Sequence, residues 1–151
     1  MDDAPDNYFD VITLFHVFEH FSEPLLSLKI INDKLRSEGI IIIEVPHAKD
    51  FLIDFLNMEE FKKFTLWSEH LILHTRTSLK VFLEKTNFNE IVIQGFQRYP
   101  LANTLYWLKI GKPGGHKTWQ FLCDRELDRT WSNKLKELDL TDTLIAIAKK
   151  G

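Results

Sequence analysis

A single cysteine, Cys123, among 151 residues leaves no internal disulfide to form. Apolar runs are short as well: none approaches the roughly 20 residues that a membrane-spanning helix needs. No N-terminal stretch joins a basic segment to a long apolar run, the pattern of a secretory leader. These absences together make a cytoplasmic chain with no membrane partner the expectation. Positive charge is not in excess either, since 19 Lys and Arg stand against 22 Asp and Glu for a net charge of -3. Affinity for nucleic acid rests largely on Lys and Arg neutralising phosphates, so nucleic acid is not the expected partner. Glycine is scarce, with six residues at positions 39, 95, 111, 114, 115 and 151, and no two are spaced G-x-G. Gly111-x-x-Gly114-Gly115 lacks the Lys-Ser/Thr of a phosphate-binding loop and reads as a turn.

What remains is 44% hydrophobic and 27% charged, the balance of one globular domain with an apolar core. Tyr8 to Phe15 is short, apolar and β-branched, which suits a strand covered on both faces. Ser22 offers a cap, Glu23 and Pro24 an acidic early turn, and Leu25, Leu28, Ile31 and Leu35 repeat at helical steps until Gly39 can stop the helix. Ile40 to Val45 forms a second strand closed by Pro46, and strand, helix, strand implies parallel pairing. Phe51 to His74 reads as a helix or two followed by a loop. Thr77 caps a helix through Lys85 that buries Leu79, Phe82 and Leu83, with Asn87 in the helix-ending position. Ile91 to Phe96 is a third strand and Pro100 to Ile110 a helix. A longer helix carries Trp119, Leu122, Leu127, Trp131, Leu135 and Leu138, and Thr143 to Ala148 is a last strand. No repeat or domain linker interrupts the chain.

Phe9-Asp10-Val11 followed by apolar residues and His16-x-x-Glu19-His20 resembles the fourth strand and following turn of class I S-adenosylmethionine-dependent methyltransferases. Glu23-Pro24, Leu35-Arg36-Ser37-Glu38-Gly39 and Ile42-Ile43-Glu44-Val45-Pro46 follow in the order that family shows for its next helix and fifth strand. Glu69-His70, Arg98-Tyr99-Pro100-Leu101 and Lys112 to His116 are similar to a subgroup, and Asp142-Thr143-Leu144 opens what corresponds to the final strand. The resemblance implies an α/β fold: a partial Rossmann-like sheet of the last four strands, mostly parallel, with an antiparallel final strand lying between the second and third. It implies one domain over residues 1–151, with a helical insertion at 97–141. The family's glycine-rich turn and ribose-binding carboxylate have no counterpart here. The resemblance therefore implies a C-terminal fragment, inactive alone, with Asp2 to Asp6 as a preceding loop.

In open α/β sheets ligands sit beyond the carboxyl ends of the strands. By resemblance, S-adenosylmethionine is the cofactor and Phe15, His16 and Val17 adjoin its methionine part. His16, Glu19 and His20 are the catalytic candidates. Glu44, Pro46, His47, His70, Arg98 and Tyr99 are the residues assigned to a small-molecule acceptor such as a sugar or quinone-like ring. Glu19 and His20 are equally read as bracing the next helix. His16-x-x-Glu19-His20 also matches a zinc-protease pattern, but that chemistry needs the motif on a helix with a third ligand, so no metal is expected. His70 and His74 read as a loop and helix surface with one packed histidine, Trp107, Trp119 and Trp131 as core, and Cys123 as a packed helical thiol. An uncovered Tyr8 to Phe15 edge predicts a homo-oligomer, with a non-catalytic interaction module as the alternative to an enzyme.

Overall fold

The computed structural model describes residues 4–67 and 70–151; Asp2, Asp3 and Glu69 of the motifs above lie outside them. Four strands form one sheet in the order β1, β2, β4, β3, where β1 is Phe9–Phe15, β2 Leu35–Pro46, β3 Phe88–Phe96 and β4 Thr143–Lys150. β1 and β2 are parallel, with Val11 beside Ile40 and Phe15 beside Glu44. Lys149 meets Glu90 and Glu38 while the following residues reach back to Asn87 and Leu35, so β4 runs antiparallel to both neighbours. This is the α/β sheet and the strand order that the resemblance implied.

The chain forms two units: Met1–Pro46, Leu71–Gln94 and Leu144–Gly151 make the first, His47–His70 and Gly95–Thr143 the second. In the first unit α1, Pro24–Lys34, and α3, Arg76–Lys85, cover one face of the sheet. Leu28, Ile31, Leu79 and Leu83 from the helices meet Ile12, Leu14, Ile41, Ile43, Val45, Leu144, Ala146 and Ala148 from the strands. Each fully buried Leu, Ile or Phe side chain contributes about 1.5–3 kcal/mol. Only that face of β1 is covered: Val11 is 47% exposed and Phe15 55%, so the expectation of a strand covered on both faces is corrected.

Several boundaries also move. α1 ends at Lys34 because Leu35 turns to extended backbone and opens β2, so Gly39 is a strand residue and no helix stop. Glu23, not Ser22, is the N-cap, and it makes no side-chain cap. α3 is capped two residues earlier than expected, by Thr75, whose hydroxyl accepts from Ser78 N–H while Ser78 Oγ accepts from Thr75 N–H. Asn87 does occupy a left-handed position, φ 62°, after that helix.

The second unit is helical. A π-helical turn, Phe51–Phe55, precedes α2, Glu59–Thr65. α4, Leu101–Ile110, stops at Gly111 in left-handed backbone, followed by the short α5, Gly115–Thr118, and α6, Arg125–Leu138. Asp124 caps α6 through Glu126 N–H and Leu127 N–H, so the helix starts after Trp119 and Leu122 instead of including them. Trp107 is buried against Phe61 and Phe64; Trp119 and Trp131 are half-buried. Cys123 is exposed and lies outside the helix, which corrects the packed thiol. Among the described residues no helix is long and apolar enough to cross a membrane.

Candidate functional site

Parallel pairing brings the carboxyl ends of β1 and β2 to one border of the sheet. His16 N–H still donates to Glu44 O at 2.8 Å, one residue past the end of β1. The chain then turns sharply, with His16 at φ 52°, a left-handed conformation uncommon for a residue with a side chain. That turn sets the imidazole between two carboxylates: Nε2 hydrogen-bonds Glu44 Oε1 at 3.0 Å, and Nδ1 lies 3.4 Å from Glu19 Oε1. Val17 is exposed, and a 3-10 turn, Phe18–His20, begins after it.

Phe18 anchors this turn in the core, stacked on His74 at 4.9 Å and edge-on to Phe82 at 5.9 Å. Glu19 is fully buried, its carbonyl accepting from Leu71 N–H and Ile72 N–H. Neither of its carboxylate oxygens makes a hydrogen bond, yet His16 approaches one of them and His20 Nε2 lies 3.9 Å away. A buried carboxylate is costly unless cations or donors surround it; among the described residues His16 and His20 approach it. The Glu19 backbone thus holds the segment at Leu71 and Ile72, not the next helix, while its side chain joins the histidine cluster. His16, Glu19, His20 and Glu44 thus converge, beside exposed Phe15 and half-buried Pro46.

In the second unit His47, Arg98 and Tyr99 gather on Asp142. His47 is buried, donating from Nδ1 to Thr141 O at 3.0 Å and from its backbone to Asp142 O at 3.0 Å. The Asp142 carboxylate accepts from Arg98 N–H at 3.0 Å and Tyr99 N–H at 3.1 Å, and Asp142 N–H donates to Gln97 Oε1. This clamp turns the Arg98 guanidinium over the Tyr99 ring, 5.8 Å from its centre, and the same ring lies 5.3 Å from His116. Burial pushes the Asp142 carboxyl above its ordinary value despite those donors. It pushes Asp50 up to about 7, with the Asp142 charge adding to the effect. Asp50 caps the π-helical turn by accepting from Leu52 N–H. His70 donates from Nδ1 to Thr65 O at 2.7 Å and lies edge-on to Trp67.

Sequence reasoning missed Asp50 and the clamping role of Asp142. An aspartate directly before the largely apolar segment 51–55 was the available capping signal for the first; nothing local marked the second, whose partners lie over 40 residues away.

The family model for a methyltransferase domain matches residues 1–93. The chain belongs to that family. Solved structures agree in fold. A SAM-dependent methyltransferase from Archaeoglobus fulgidus is 20% identical, with a TM-score of 0.61 over 99% of this chain and 62% of its own. A possible histamine N-methyltransferase from Thermotoga maritima is 12% identical, with a TM-score of 0.63 over 99% and 59%. A phosphoethanolamine N-methyltransferase from Haemonchus contortus, solved with S-adenosyl-L-methionine, is 15% identical, with a TM-score of 0.55 over 98% and 34%. This methyltransferase-family chain therefore spans less than two thirds of each. No curated protein matches it.

Proposed function

We propose that this chain is the carboxyl-terminal part of an S-adenosylmethionine-dependent methyltransferase for a small-molecule acceptor, and that it is inactive by itself. The observation that carries the reading is the His16 imidazole held between Glu44 and Glu19 at the carboxyl ends of two parallel strands. The donor set suits one end of the cofactor: the part-exposed Glu44 carboxylate and the exposed Phe15 and Val17 match a methionine part bearing an ammonium and a sulfonium. It does not suit the other end, for the sequence has no G-x-G turn to let backbone approach the nucleotide. The cofactor, when bound, supplies an electrophilic methyl group.

The chain's own residues orient and move a proton. Glu44 fixes the imidazole by accepting from Nε2, which leaves Nδ1 of His16 as the atom that takes an acceptor proton; Glu19, 3.4 Å from Nδ1, stabilises the imidazolium so formed, and His20 supports Glu19. Glu44 and Pro46 are the acceptor contacts that the first unit offers. The 97–141 segment is the helical insertion that varies with the acceptor, within what acts as a single methyltransferase domain. A cytoplasmic setting goes with this reading.

A second reading is a non-catalytic oligomeric module derived from a methyltransferase. Titration with S-adenosylhomocysteine, followed by calorimetry and by amide chemical shifts, separates the two. The methyltransferase reading expects binding weaker than about 100 µM, roughly 5.5 kcal/mol, with shifts confined to Phe15 to His20 and Glu44 and abolished in Glu44→Ala. No shift at those amides at millimolar ligand would leave the module.

A further inference from the structure

His74 is fully buried within the first unit, and its ring lies nearly parallel to Phe18, 17° apart in plane and 4.9 Å between centres. Phe82 closes edge-on against both rings, 5.6 Å from His74 and 5.9 Å from Phe18. Packing alone would favour phenylalanine or leucine at this position. Nε2 of His74 makes no hydrogen bond, and a buried polar atom without one costs stability.

The polar edge that the ring does use is Nδ1, 3.4 Å from Ser78 Oγ. That hydroxyl gives its proton to Thr75 O at 3.0 Å and accepts from Thr75 N–H at 2.8 Å. A hydroxyl has one proton and two lone pairs, so a lone pair is what remains for His74. Nδ1 therefore carries the ring proton, and burial, which pushes the pKa down to about 4, keeps Nε2 bare. The capping box of α3 thus orients the His74 ring, and the ring in turn seats Phe18.

Phe18 leads directly into Glu19, whose carbonyl accepts from Leu71 N–H at 3.0 Å and Ile72 N–H at 3.2 Å. Held by these donors and by the seated Phe18 ring, the turn delivers the Glu19 carboxylate to within 3.4 Å of His16 Nδ1. We propose that His74 is a positioning residue, which through its stack on Phe18 sets the Glu19 carboxylate against His16. That a base is served in this way rests on the methyltransferase reading; the placement of Glu19 does not.

Long-range proton–nitrogen spectra of the imidazoles read both links. The parent chain should show His74 protonated on Nδ1 and His16 protonated on Nε2, the nitrogen that Glu44 engages. His74→Leu, which fills the space without a flat ring, should displace the His16 Nδ1 signal by the amount that Glu19→Gln does. In the double variant the two displacements should not add, because both act through one carboxylate. Leu83→Ala, which empties core volume on the same helix, should leave the His16 signal at the parent position. If His74→Leu does not fold by circular dichroism, Phe18→Leu removes the other member of the stack and carries the same comparison. A proton on Nε2 of His74, an unmoved His16 signal in the folded variant, displacements that sum, or an equal displacement in Leu83→Ala overturns the proposal. These spectra involve no cofactor, so their failure leaves the methyltransferase reading standing, and loss of cofactor response leaves the role of His74 standing.

Discussion

Gly115 is a residue where backbone approach, not turn geometry, demands glycine. A Cβ built there would lie 2.3 Å from Tyr106 Cβ and 2.8 Å from both Ala102 O and Asn103 Cα. All three belong to α4, two of them backbone, so rotamer change cannot relieve the contact. Overpacking of this kind costs typically 1–3 kcal/mol. Gly115→Ala is therefore expected to lower the urea midpoint, whereas Gly114→Ala meets no atom within 4 Å and suffers only from its left-handed backbone. Equal losses in the two variants would mean that α5 does not press on α4. His16 poses the converse problem. It holds a left-handed conformation with a side chain, and the two carboxylates that flank its ring offset that strain.

Among the elements, α3 has the most complete local signal. Its capping box joins Thr75 and Ser78 reciprocally, and Leu79 and Leu83 present one buried stripe. Loss of the cap typically costs about 1 kcal/mol, so Thr75→Ala should destabilise the chain by that amount in urea titration, and Thr77→Ala by much less. The sequence pattern placed this cap at Thr77 because threonine at either position suits it; only the hydrogen bond to Ser78 decides. The strands were legible as apolar runs, and their order followed from family resemblance, since spacing alone says nothing of β4 inserting between β2 and β3. The open face of β1 was not legible. A short, largely apolar segment reads as buried on both sides, yet Val11 and Phe15 are uncovered because α1 and α3 both lie on the other face. In the site, His16, Glu19, His20 and Glu44 were readable from one motif and one strand end. The Asp142 clamp on Arg98 and Tyr99 was not, because it joins distant segments through backbone donors that no side-chain pattern reveals.

For the whole molecule, two buried groups pull the pH dependence of stability in opposite directions. His74, packed between Phe18 and Phe82, has its pKa pushed down by burial to about 4 from the usual 6.5. The unfolded chain then holds the extra proton between those values, so this contribution is complete above pH 6.5 and disappears as pH falls toward 4. Asp50 is raised by burial from 3.8 to about 7. There the folded chain holds the extra proton, so its contribution is complete below pH 3.8 and is lost as pH rises toward 7. Each shift corresponds to something on the order of 3 to 4 kcal/mol. Between pH 4 and 6.5 the two slopes oppose each other and nearly cancel, with Asp142, also raised by burial, adding to the Asp50 side. Single substitutions should uncover the hidden slopes. In His74→Leu the unfolding free energy should decline as pH rises from 4.5 to 6.5. In Asp50→Asn, which keeps an acceptor for Leu52 N–H, it should climb over the same interval relative to the parent chain. Urea titrations at half-unit pH steps measure both, and two variants that track the parent curve in parallel would show that burial does not hold His74 and Asp50 in their neutral forms.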